Sequence, residues 1–132
     1  MKFLLDTNTI IDYLRGHPKL AVAICSSAGV TLSAIVAAEF YIGYHATLHS
    51  TTKAAKGEVR TLFRNYPVLK FDAEDGYETG RLITQFGLIK DKTMYRDVMI
   101  AAQAKKRGLT VITNNTGDFF RLAGLKVENW TL

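Results

Sequence analysis

The chain has 132 residues and a mass of 14.7 kDa, enough to bury a core without disulfides or a structural metal and suited to one domain over residues 1–132. Its 48% hydrophobic and 22% charged residues argue against wholesale disorder, and its longest apolar stretch, residues 30–44, is broken by Thr31, Ser33 and Glu39 and falls short of a membrane span. A net charge of +5 and a pI near 9.4 draw it toward polyanions, nucleic acid first among them.

Cys25 is the single cysteine, so neither an intramolecular disulfide nor a cysteine metal cluster can form, and a reducing cytoplasm is the expected home. In chain order, Lys2-Phe3-Leu4-Leu5 reads as a central strand buried on both faces: the apolar run is too short for a helix and stops at Asp6-Thr7-Asn8-Thr9. Asp6 also interrupts that run too early for a signal peptide. Ile10, Ile11 and Leu14 give a short helix, and Pro18 opens another through Cys25. Val30-Thr31-Leu32-Ser33 is a second strand, and Ser33 is placed to cap a helix over residues 34–44.

Over residues 52–66 the apolar Ala55, Val59, Leu62, Phe63 and Tyr66 keep helical spacing, while Lys53, Lys56, Arg60 and Arg64 line the opposite side. Pro67 ends that helix. Val68-Leu69-Lys70-Phe71 reads as a third strand, and Asp72 with Asp75 resembles a capping arrangement for a helix ending near Gly87. A lysine-rich loop leads to a helix over residues 96–107, stopped by Gly108. Thr110-Val111-Ile112-Thr113 then reads as a fourth strand and Lys126-Val127-Glu128-Asn129-Trp130 as a fifth. Strands alternating with helices predict an α/β fold, a mainly parallel sheet of four or five strands covered on both faces.

Chemistry concentrates in the acids. Asp6 lies at the carboxyl end of a buried strand, the edge where open α/β sheets bind ligands, although an Asp there also serves as a helix cap. Glu39 falls on the apolar stripe of its helix with Ile35, Val36, Ile42 and Gly43, which asks for a base, a proton or a metal to offset its burial. Asp97 begins a helix whose inward face runs Ile100, Ala101 and Ala104, where the helix dipole alone would also suit it. Asp118 follows the fourth strand through Asn114-Asn115-Thr116-Gly117. Carboxylates brought together at one sheet edge stay ionised only beside cations, and oxygen donors select Mg²⁺ or Mn²⁺. His17, His45 and His49 lie apart from the acidic turns, with His45 and His49 read as surface residues.

In order and spacing, Leu5-Asp6-Thr7-Asn8 with Ile11, Ser33-Ala34 with Ala38-Glu39 and Gly43, Asp97 with Ile100-Ala101-Ala102 and Ala104, Val111-Ile112-Thr113-Asn114-Asn115-Thr116 with Asp118-Phe119, and Gly124-Leu125-Lys126-Val127-Glu128-Asn129-Trp130 resemble the PIN-domain ribonucleases, in particular the VapC-type toxins of bacterial toxin–antitoxin pairs. The resemblance covers essentially the whole chain. It implies a compact three-layer α/β/α sandwich, Mg²⁺- or Mn²⁺-dependent endoribonuclease activity, transfer RNA among the substrates, a homodimer and a cognate antitoxin that lays an apolar helix in a groove. Carried over by position, Asp6, Glu39 and Asp97 match the acidic triad. Because a strand end and a helix start fix Asp6 and Asp97 tightly, they are assigned the direct metal contacts, and Glu39, on a longer side chain in mid-helix, a direct or water-mediated one. Asp118 matches the less uniform fourth acid, Asn8 and Thr113 match polar residues that hold the acids and a water, and Asn115 stands where some members carry Asp. Lys90-Asp91-Lys92-Thr93-Met94-Tyr95-Arg96 departs from the Gly-containing turn that many members have before the third acid, which bears on substrate preference.

Lys53, Lys56, Arg60 and Arg64, with Lys90, Lys92 and Arg96 near the third acid, are candidate RNA phosphate contacts, or else a solvated helix face. Phe40, Tyr41 and Tyr44 are expected to be exposed and suited to an interface. Two other classes compete. A haloacid-dehalogenase-type phosphatase needs an acid two residues after its nucleophile, where this chain has Asn8. A non-catalytic RNA-binding protein would keep the basic helix and use the acids structurally.

Overall fold

The computed structural model describes residues 1–46, 53–117, 122 and 124–132. Its core is a five-stranded sheet in the order β3-β2-β1-β4-β5, built from β1 (Phe3–Leu5), β2 (Val30–Ser33), β3 (Val68–Leu69), β4 (Thr110–Ile112) and β5 (Lys126–Glu128), every pairing parallel. Between them run α1 (Thr7–Leu14), α2 (Pro18–Ser26), α3 (Ala34–Ala46), α4 (Lys53–Asn65), α5 (Ala73–Gln85) and α6 (Tyr95–Arg107). β1 is central because neither of its faces is polar: Leu4 and Leu5 are fully buried, flanked by Thr31 of β2 and by Val111 and Ile112 of β4.

From β1 the chain steps through β2 to β3 on one side, then returns to β4 and β5 on the other. Right-handed crossovers therefore lay the helices before and after this reversal on opposite faces, giving the α/β/α layering. The reversal also makes the carboxyl ends of β1 and β4 the place where the two halves diverge, which is where a ligand crevice opens in such sheets. Asp6 N–H donates to Ile112 O at 3.1 Å, carrying the ladder to that edge. At the opposite end Gly29 holds φ +84°, and a Cβ there would meet Lys2 Cβ at 2.8 Å. Lys2 and Phe3 amides both donate to Gly29 O there, at 2.9 and 3.0 Å.

A buried polar network joins α6 to the far side of the sheet. Ser33 Oγ accepts from the Ile35 amide at 3.1 Å, so it caps α3 as expected, and its hydroxyl donates to Gln103 Oε1 at 2.6 Å. Gln103 Nε2 in turn reaches Leu69 O at 3.3 Å and Lys70 O at 3.0 Å. The expected third strand ends at Leu69, and a side-chain amide satisfies the carbonyls of Leu69 and Lys70. Asp72 and Asp75 form the capping box of α5, and Arg107 Nη1 and Nη2 hold the fully buried Asp75 at 2.6 and 3.0 Å. Among the described residues no helix is long and apolar enough to cross a membrane.

Candidate active site

Asp6 sits between β1 and α1 as the cap of the helix: its Oδ1 accepts from the Thr9 amide at 2.8 Å. Its Oδ2 accepts from the Thr113 hydroxyl at the end of β4, and Thr113 Oγ1 accepts in turn from the Asn115 amide at 2.9 Å. Thr9 fixes the same corner by donating its hydroxyl to Ile112 O at 2.9 Å. The capping and the site readings of Asp6 are therefore not exclusive. One oxygen closes the helix, and the other faces the divergence of β1 and β4. Only 4% of the residue is exposed, and burial pushes its carboxyl above the ordinary value against the hydrogen bonds from Thr113 and Thr9, with nearby Asp12 adding repulsion.

Glu39 is tied to Thr7, the residue after Asp6, and to Arg96, the residue before Asp97. Thr7 donates its hydroxyl to Glu39 Oε1 at 3.1 Å, and Arg96 Nη1 donates to Glu39 Oε2 at 2.9 Å. Glu39 is less inward than its apolar stripe suggested, its side chain 26% exposed and its partner Arg96 49%. Asp97 follows Arg96 in the first turn of α6, half-buried, where the helix dipole favours a carboxylate. Among the described residues no three of Asp, Glu, His and Cys stand close enough to enclose an ion. The donor chemistry nevertheless fits one: carboxylate and hydroxyl oxygens suit a hard divalent cation, and the groups bonded to the desolvated Asp6 carboxylate, the Thr9 amide and the Thr113 hydroxyl, are neutral.

The PIN-domain family model matches residues 3–125. The chain belongs to the PIN-domain family. Among its PIN relatives are ribonuclease VapC1 of Rickettsia felis, 31% identical over 133 residues that cover 96% of this chain and 95% of that protein, and the tRNA(fMet)-specific endonuclease VapC of Salmonella typhimurium, 29% identical over 132 residues and 98% of each. A DNA-bound VapBC complex from Salmonella typhimurium contains a chain that superposes with a TM-score of 0.78 at 26% identity, 98% of each chain being covered. The VapC resemblance drawn from the motifs and the α/β/α fold it implied both hold. Membership of this family also sets aside the dehalogenase-type phosphatase.

Within this PIN domain the supporting polar positions distribute unevenly. Thr113 touches Asp6 and Asn115 touches Thr113, whereas the Asn8 residue is exposed on the first turn of α1 and its neighbours Thr7 and Thr9 make the contacts. Asp118 lies outside the described residues, as does His49, while His45 is exposed at the end of α3. Sequence reading missed Thr7, Thr9 and Asp12. The last of these accepts from Asn114 Nδ2 at 2.8 Å and ties α1 to the turn after β4. Asp12 falls six residues beyond Asp6, a spacing that carries no motif.

The basic candidates are only partly a bare face. Arg60 lies over the Tyr41 ring at 5.6 Å and reaches its hydroxyl at 3.4 Å, and Lys56 lies over Tyr44 at 5.3 Å. Arg64, Lys90, Lys92 and Arg96 are exposed, while Lys53 opens α4. Phe40, Tyr41 and Tyr44 correct the expectation of exposure. They are half-buried, Phe40 and Tyr41 against Phe63 of α4 at 5.9 and 5.6 Å. The exposed large apolar residue of α3 is Ile42, at 69%.

Proposed function

We propose that this chain is the toxin of a toxin–antitoxin pair and a divalent-metal-dependent endoribonuclease whose reacting edge is made by Asp6, Asp97 and Glu39, with Mg²⁺ or Mn²⁺ as the cation. The observation that carries the reading is the Asp6 corner: a carboxylate buried almost completely, held by two threonines, at the point where β1 and β4 diverge. When bound there, a divalent cation supplies Lewis-acid polarisation of a phosphodiester and acidifies a water. The chain's own groups do the placing. Thr9 and Thr113 fix Asp6, Thr7 aims Glu39, and Glu39 receives the hydrogen bond of the attacking water. Asp118 and Asn115 are the candidates for a fourth position at the same edge.

Water attack leaves a 5′-phosphate and a 3′-hydroxyl, whereas attack by the RNA's own 2′-hydroxyl leaves a cyclic phosphate. Transfer RNA is the substrate to test first, since a relative that aligns over 98% of the chain bears the name of a tRNA-specific endonuclease. Lys53, Lys56, Arg60, Arg64, Lys90, Lys92 and Arg96 supply sequence-independent phosphate contacts. The partner is an antitoxin, the active form a homodimer and the compartment the cytoplasm. Support for the antitoxin comes from the VapBC complex that shares the fold, and residues 1–132 act as one domain. End-group mapping after incubating the purified chain with transfer RNA and Mg²⁺ tests the reading: 5′-phosphate and 3′-hydroxyl ends are expected, and 2′,3′-cyclic phosphate ends contradict it.

A further inference from the structure

Arg96 is a cation in the first turn of α6, where the helix dipole disfavours positive charge. The helix dipole therefore gives no reason for its placement. The carboxylate it faces does: Arg96 Nη1 lies 2.9 Å from Oε2 of Glu39, 57 positions earlier in the chain. Glu39 is thereby held from both sides, Oε1 by the neutral Thr7 hydroxyl and Oε2 by the guanidinium. The pair is open to water on its outer side, with 49% of the Arg96 side chain exposed. Such a guanidinium is held weakly and stays hydrated when it lets go.

A divalent cation that draws on Glu39 competes with Arg96 for Oε2. We propose that Arg96 is a built-in counter-ion for Glu39: it keeps the carboxylate aimed at the acidic edge while no divalent cation is bound, and must yield when one arrives. Arg96 is thus a positioning residue that sets how much cation the edge requires. The inference rests on the reading of Asp6, Glu39 and Asp97 as a cation site.

The test is calorimetric titration of Mn²⁺ into the full chain, comparing the parent with Arg96→Gln, Arg96→Lys, Glu39→Gln and the Arg96→Gln/Glu39→Gln double variant. Arg96→Gln should bind Mn²⁺ roughly fivefold more tightly, the size expected for releasing a half-exposed ion pair and removing one nearby charge. Arg96→Lys should restore the parent's affinity, and most of the gain should vanish in the Glu39→Gln background, since the effect acts through that carboxylate. Arg96→Met gives the same comparison should Arg96→Gln fold poorly by circular dichroism. Parent binding with no tightening in Arg96→Gln overturns the counter-ion role alone, as does a gain of full size that persists without Glu39. Absence of Mn²⁺ binding by the parent and every variant removes the cation site and the counter-ion role together.

Discussion

Asp6 is asked to do two things that oppose each other. As a helix cap it stabilises the fold through the Thr9 amide. As a carboxylate with 4% of its surface exposed, it is forced upward in pKa by burial, so its charged form is disfavoured. Asn caps a helix equally well and carries no charge. Asp6→Asn should therefore raise the melting temperature of the metal-free protein in differential scanning calorimetry. In single-turnover assays it should slow RNA cleavage by on the order of 10²–10³-fold, the scale of losing one electrostatic group in a dry site. Asp97→Asn should be similarly inactive, whereas Asp118→Asn should retain measurable cleavage. Thr113→Val should cost about 1–2 kcal/mol in chemical unfolding, because Thr113 both donates to Asp6 and accepts from the Asn115 amide. The sequence announced Asp6, Glu39 and Asp97 because each is an acid at an apolar edge or element start. It was silent on Thr7 and named Arg96 only as a phosphate contact, because their partner Glu39 stands 32 and 57 positions away and local spacing has no means of reporting a long-range hydrogen bond.

Elements were readable where their signals are local. The Asp72/Asp75 capping box, Ser33 before α3, Pro18 opening α2 and Gly108 closing α6 act within a few residues, and each lies where expected. Gln103 was not readable: it looks like a polar interruption of the Ile100, Ala101 and Ala104 face, yet it is fully buried and bonded to Ser33, Leu69 and Lys70. The Asp75–Arg107 pair is equally distant in sequence and joins α5 to α6. Burial acts to raise the Asp75 carboxyl, but hydrogen bonds from Arg107 and the Asp72 amide, with the charges of Arg107 and Lys106, outweigh it and hold it below its ordinary value. A carboxyl depressed in the folded state adds stability that is present above its unfolded pKa, near 3.9, and lost as pH falls through the lower folded value. Asp75→Asn should thus lower stability at neutral pH by roughly 3 kcal/mol, removing the buried partner of Arg107, and should flatten the acid limb of stability measured by urea unfolding below about pH 4.

At the scale of the whole molecule, a net charge of +5 favours a polyanionic substrate but does not say which surface meets it. Lys56 and Arg60 pack on Tyr44 and Tyr41, and if the stripe meets RNA, replacing Lys53, Lys56, Arg60 and Arg64 by Gln should flatten the salt dependence of RNA binding. On a single strand the slope should fall by about 0.7 for each phosphate that is no longer neutralised; an unchanged slope in filter binding would make these residues a solvated face. The aromatics of α3 pack toward α4 while Ile42 is exposed, and sedimentation of the chain alone and with a candidate antitoxin tests self-association and partner binding. The decisive property is the dependence of hydrolysis on a cation at the Asp6 edge. Single-turnover cleavage of transfer RNA in Mn²⁺, repeated in excess EDTA and again after Mn²⁺ is restored, measures it directly: cleavage should stop in EDTA and return with Mn²⁺, and cleavage that continues undiminished in EDTA would contradict it.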